Sequence, residues 1–226
     1  MFFHDDDDII NNPYVIEEYL NIIEKIPEDR VYSIGGDQLL FPNPTEYFKR
    51  LTIGFTGRLY NLNLIKKFNI SFKNLRYEED RYFITEYLYY YFRNAAENND
   101  IYYEISSDKE NFITYTKRGN LNSICAILSE EDKCWEALKM INEIFTFYLS
   151  IPLDDISKNY IEINISDDFK YFQKYVIERC ADKELTSEQK NFLLKTNKNF
   201  YTILNLYPDL NFNENLNFYQ SFINKL

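Results

Sequence analysis

Met1-Phe2-Phe3-His4-Asp5-Asp6-Asp7-Asp8-Ile9-Ile10 is the stretch on which the reading of the fold turns. Three residues, two of them phenylalanine, run apolar and then break into four consecutive aspartates. That pattern reads as the end of a buried strand opening into a loop. Carboxylates at the carboxyl edge of a strand stand where α/β folds place their ligands. Four aspartates cannot all stay ionised in a dry pocket, because their mutual repulsion is too large, so they are either solvated or face a cation. A hard divalent ion, Mg2+ or Mn2+, suits them: it takes oxygen ligands and is held by one or two carboxylates with the phosphates of a substrate. An exposed acidic turn or helix start explains the run equally well on its own. His4, the only histidine, reads as a packed or solvent-facing side chain rather than a ligand.

Downstream, Asn12-Pro13 opens a predicted helix in which Val15, Ile16, Tyr19, Leu20, Ile22 and Ile23 recur at helical spacing until Pro27. Residues 30–34 read as a strand before the Gly35-Gly36 turn, 39–44 as a proline-bearing loop and 45–51 as a short helix. A turn after Gly54 leads into a helix through Leu59, Leu62 and Ile65. Glu78-Glu79-Asp80 precedes an aromatic helix expected over about 81–96, and strands are expected at 101–105 and 112–116, before a loop over 117–123. From Glu130 the pattern is mainly helical, with breaks near Pro152, Asp167 and Pro208 and a short strand at 160–165. These elements predict an α/β fold with two parts, residues 1–127 built on a mixed sheet with flanking helices and 128–226 helical.

Composition narrows the partners. The chain has 226 residues, 45% of them hydrophobic, with 21 Tyr and 19 Phe, too apolar for a disordered segment and long enough for a sizeable core. A net charge of −11 argues against nucleic acid, whose binding depends on counterion release around a basic surface. The longest apolar runs, such as 141–151, are interrupted by Asn142, Glu143 and Thr146 and fall short of the roughly 20 residues a transmembrane helix needs. No basic and then apolar segment opens the chain, so no signal peptide is expected and the cytoplasm is the default compartment. Cys125, Cys134 and Cys180 lack metal-ligand spacing and read as reduced thiols.

Taken in order, four landmarks resemble those of family 2 glycosyltransferases of the GT-A type. Asp5-x-Asp7-Asp8 after an apolar strand is similar to the DxD motif. Gly54-Phe55-Thr56-Gly57-Arg58-Leu59-Tyr60, followed by a helix and Asn69-Ile70-Ser71-Phe72, looks like the acceptor-side segment. Tyr77-Glu78-Glu79-Asp80-x-x-Phe83 resembles the ED motif, and Tyr115-x-Lys117-Arg118 with Ser123 resembles the basic loop after the sheet.

The resemblance covers about residues 1–123 and implies a partial GT-A sheet, a nucleotide-sugar donor, a glycan, lipid-linked or protein acceptor, and Mn2+ or Mg2+ as cofactor. It implies Asp7 as direct metal ligand, with Asp5 at the metal or the donor ribose, and Asp80 as general base with Glu79 orienting the acceptor. Lys117 and Arg118 would then close over the diphosphate, and Gly57 and Arg58 would contact substrate.

In that family a nucleotide-binding half precedes the DxD strand, whereas here the motif begins at residue 5. The expectation is therefore a chain that works as a homodimer or with a separate N-terminal half, and that binds donor weakly by itself. A non-catalytic scaffold derived from the GT-A fold is the alternative. A metal-dependent phosphoesterase is disfavoured, since two-metal sites usually add histidines.

Overall fold

The computed structural model describes residues 59–97, 127–174 and 184–210 continuously. It also describes residues 8–9, 14, 17, 20–21, 24, 32–35, 103–106, 116–117, 212, 221 and 223–224. The elements are β1 (Asp8–Ile9), β2 (Tyr32–Gly35), β3 (Leu59–Tyr60), α1 (Leu62–Phe68), α2 (Glu79–Glu97), β4 (Tyr103–Ser106), β5 (Thr116–Lys117), α3 (Glu130–Ser150), α4 (Asp155–Phe172) and α5 (Ser187–Leu206). They belong to two compact units, Met1–Ser71 with Glu86–Asn122, and Phe72–Thr85 with Ser123–Leu226.

The second unit is a helical bundle. In α3, Cys134, Ala137, Leu138, Ile141, Ile144, Phe145 and Tyr148 are all buried at the three- and four-residue spacing of a helix face. Glu136, Met140, Asn142 and Phe147 are buried as well, so more than one side of α3 is covered. From α4 come Tyr160, Ile161, Ile165, Phe169 and Phe172, and from α5 Leu193, Phe200 and Ile203. Phe200 stacks on Phe169 with centroids 4.7 Å apart and meets Phe145 at 5.5 Å. Each such ring contributes about 1.5–3 kcal/mol by leaving water.

Short polar residues start the helices by accepting otherwise unpaired backbone N–H groups. Ser129 caps α3 and Asp154 caps α4, while Thr186 and Gln189 form a reciprocal capping box on α5. One polar seam crosses the core between α3 and α5. Asn142 Oδ1 lies 3.3 Å from both the Thr196 hydroxyl and the Asn199 amide nitrogen, and Asn142 and Thr196 are both buried.

In the first unit α1 is capped by Asn61 and closed by Asn69 in the left-handed conformation (φ 53°), with Lys66 and Lys67 in its last turn. The later part of α2 buries Tyr87, Leu88, Tyr89 and Tyr91. Tyr87 packs edge-on against Tyr60 and accepts the Asn61 backbone N–H at 2.9 Å. Strand β2 pairs parallel with β4 and antiparallel with β3, and β1 pairs antiparallel with β5.

The α/β fold class expected from the sequence, a partial GT-A mixed sheet with flanking helices, is corrected to a helical bundle. Helices of 19, 21, 18 and 20 residues organise the described chain, whereas its strand segments are two or four residues long. Segments that short present no continuous face to bury. Apart from Tyr60, the buried apolar side chains described stand on helices or in the turns beside them.

The strand expected at 160–165 is also corrected. Tyr160-Ile161-Glu162-Ile163-Asn164-Ile165 alternates apolar and polar, but it lies inside α4 and buries Tyr160, Ile161, Asn164 and Ile165 at helical spacing. The break expected near Asp167 is absent, since α4 runs on to Phe172. The breaks at Pro152 and Pro208 are present, after α3 and α5.

Candidate functional site

The acidic triplet that precedes the aromatic helix is where the sequence and the described structure meet. Glu78 takes φ 57°, in the left-handed region that costs a side-chain-bearing residue on the order of 1–2 kcal/mol. Such strain concentrates at functional turns. Immediately beyond it Glu79 and Asp80, both half-buried, occupy the first turn of α2, where the free N–H groups and the helix dipole favour negative charge. The Arg81 backbone N–H lies 2.8 Å from Asp80 Oδ1 and 3.2 Å from the Glu78 carbonyl oxygen, which closes the turn.

The Arg81 side chain runs into the bundle. Its guanidinium donates to Asp168 Oδ1 at 3.0 Å, with the two side chains only 13% and 6% exposed, and lies 4.2 Å from the centre of the Tyr171 ring. The Tyr148 hydroxyl donates to Asp168 Oδ2 at 2.7 Å, so each oxygen of this buried carboxylate has a partner. Burial pushes the Asp168 carboxyl above the ordinary range, with Arg81 and Tyr148 acting against that rise. Burial likewise pushes the Tyr148 hydroxyl far up, and the neighbouring Asp168 charge adds to the effect. The Glu78 carboxyl is raised as well, first by desolvation, which the Tyr171 hydroxyl and the Arg81 charge only partly offset.

Further bonds fix the flanks of the triplet. One turn along α2, the Tyr160 hydroxyl donates to the Thr85 carbonyl at 2.7 Å, and the Thr85 hydroxyl donates to the Arg81 carbonyl at 2.8 Å. Ahead of the helix, the Arg76 backbone N–H donates to Glu136 Oε2 at 3.0 Å, and Lys139 reaches the other Glu136 oxygen at 2.8 Å. Phe72, 40% exposed, stacks on buried Phe83 with centroids 4.6 Å apart. The result is a pair of half-buried carboxylates on a turn that is bonded in place from both sides.

Of the residues nominated from the sequence, Glu79 and Asp80 are adjacent on this turn. Lys117 lies in β5, where backbone pairing sets it opposite Asp8, the last residue of the acidic run. Asp5, Asp7, Gly57, Arg58 and Arg118 lie outside the described residues, as does His4. Among the described residues no group of three or more His, Cys, Asp or Glu side chains is arranged to hold a metal ion. No helix among them is long and apolar enough to cross a membrane.

Sequence reasoning missed Arg81, Asp168, Tyr148, Tyr160 and Tyr171. A signal existed for Asp168: it stands between Ile165 and Phe172 at helical spacing, on an otherwise apolar face, where a buried carboxylate requires a cation. No protein-family model, no curated protein and no solved structure matches this chain.

Proposed function

We propose that this chain serves metal-dependent transfer of a sugar from a nucleotide-sugar donor to an acceptor hydroxyl, with inversion at the anomeric carbon. The observation that carries the reading is the Glu79–Asp80 pair on its fixed, half-buried turn, because a general base must be held in one geometry within reach of the proton it removes. The backbone pairing of Asp8 with Lys117 supports it, since it sets the end of the acidic run beside the start of the basic loop, although the two are far apart in sequence.

In this reading the Asp80 carboxylate takes the proton of the acceptor hydroxyl as that oxygen attacks the anomeric carbon. The new carbon–oxygen bond forms on the face opposite the departing diphosphate, whose oxygen keeps the electron pair of the broken bond. By the sequence resemblance Glu79 would orient the acceptor, Gly57 and Arg58 would contact substrate, and Lys117 and Arg118 would meet the diphosphate charge. Asp5 and Asp7 are the carboxylates to hold Mn2+ or Mg2+, whose hard-oxygen preference matches that donor set. The bound ion would stabilise negative charge on the leaving group.

Calorimetry with Mn2+ and UDP or GDP, on the wild type and on Asp7→Asn, tests the reading. The wild type is expected to bind the nucleotide better with Mn2+ than without it, and Asp7→Asn to lose that gain. A wild type that binds neither would favour the non-catalytic scaffold.

A further inference from the structure

We infer that Arg81, Asp168 and Tyr148 are positioning residues for Asp80, a clamp through which the C-terminal helices aim the carboxylate of the proposed base; the inference rests on the sugar-transfer reading for what Asp80 does. Arg81 has two attachments. Its main-chain N–H lies 2.8 Å from Asp80 Oδ1 and 3.2 Å from the Glu78 carbonyl oxygen, and its guanidinium is held by Asp168 on α4 at 3.0 Å. Tyr148 on α3 fixes the other Asp168 oxygen at 2.7 Å, and the Tyr171 ring covers the guanidinium. A rotation of the first turn of α2 that swings Asp80 therefore strains the bonds that hold Arg81 inside the bundle.

Stability alone gives no reason for this arrangement. Desolvating an ion pair costs as much as its attraction returns, and apolar residues of similar volume in its place are often neutral or stabilising. Apolar packing is non-directional, however, and sets the rotation of a helix less sharply than directed bonds do. A planar guanidinium bonded to one carboxylate oxygen and stacked on a ring sets both direction and distance. Tyr160, bonded to the Thr85 carbonyl, adds a second fixed point on the same helix.

The test uses the full chain and needs no ligand. In the triple variant Arg81→Met, Tyr148→Phe, Asp168→Leu, the melting temperature is expected to stay near that of the wild type. The amide at position 81 should nevertheless exchange roughly tenfold faster or more. The Asp80 side-chain carboxyl carbon signal in NMR, identified by its loss in Asp80→Asn, should broaden or split. Wild-type exchange and an unchanged Asp80 signal in a folded triple variant would overturn the inference.

Asp168→Asn, which keeps the size of the side chain and removes its charge, decides the matter if the triple variant does not fold. Faster exchange at position 81 is expected, and unchanged exchange refutes the clamp. A wild type that shows no Mn2+-dependent nucleotide binding would sink the sugar-transfer reading separately, leaving the exchange result to judge the clamp.

Discussion

Arg81 and Asp168 meet at 3.0 Å across 87 residues of sequence, one on the first turn of α2 and the other well inside α4. The contact is nearly dry. In such surroundings neither charge is tolerated without the other, and the Tyr148 hydroxyl completes the set by filling the second carboxylate oxygen. Because removal of one partner differs physically from removal of all three, the network can be dissected by substitution.

Asp168→Ala leaves the Arg81 charge buried and unpaired and should destabilise the protein by about 3–5 kcal/mol. Urea unfolding measures this directly. A loss below about 1 kcal/mol would mean that water or another group takes the place of Asp168 without difficulty.

Glu78 provides a dependence on pH. Its carboxyl is raised in the folded protein, chiefly by burial, so the folded state holds that proton more tightly than the unfolded chain does. Its contribution to stability is therefore complete below the ordinary carboxylate range and is lost as pH rises through the folded value. Glu78→Gln removes this dependence, so its stability relative to wild type should improve as pH rises from about 4 and level off above the raised folded value. Unfolding curves collected across that window test the sign, and a parallel pair of profiles would contradict it.

Asn69 closes α1 in the left-handed region, which asparagine tolerates far better than alanine does. Asn69→Ala should cost about 1 kcal/mol, whereas Asn69→Gly should be close to neutral. Equal melting temperatures for the two variants would show that the backbone at residue 69 changes conformation to suit alanine.

For the proposed reaction, in a complex restored to activity, Asp80→Asn should cut sugar transfer by roughly 10²-fold or more, the scale of a lost general base. Glu79→Gln should act mainly on the acceptor KM. Transfer near the wild-type rate in Asp80→Asn would remove Asp80 from the mechanism.

Local features were legible in the sequence where they carry local physical signatures. The aromatic helix expected over 81–96 is α2, and the breaks at Pro152 and Pro208 fall where the helices stop. The turn bearing Glu79 and Asp80 could be nominated because acidic residues ahead of an apolar periodic stretch mark a helix start whatever their function. Two things were not legible. Period-two alternation in 160–165 imitated a strand, and only packing against α3 selects the helical alternative, which buries Tyr160, Ile161 and Ile165 together. The clamp on Arg81 was hidden for the same reason. With a break assumed near Asp167, the helical spacing that joins Asp168 to Ile165 and Phe172 was interrupted, and the signal for a buried carboxylate was passed over.

The Asn142 seam has a consequence for uniqueness. Helices faced with interchangeable apolar side chains can slide past one another by a turn, about 5.4 Å, at little cost. Asn142 penalises that shift, because a slide that carries its buried side-chain oxygen away from Thr196 and Asn199 leaves that oxygen without donors. The seam thus works as a vernier mark between α3 and α5, in the manner of a lone asparagine in a coiled-coil interface. Filling it with leucine would be expected to give a bundle as resistant to urea as the wild type but divided among alignments, visible as extra resonances from Phe145 and Phe200.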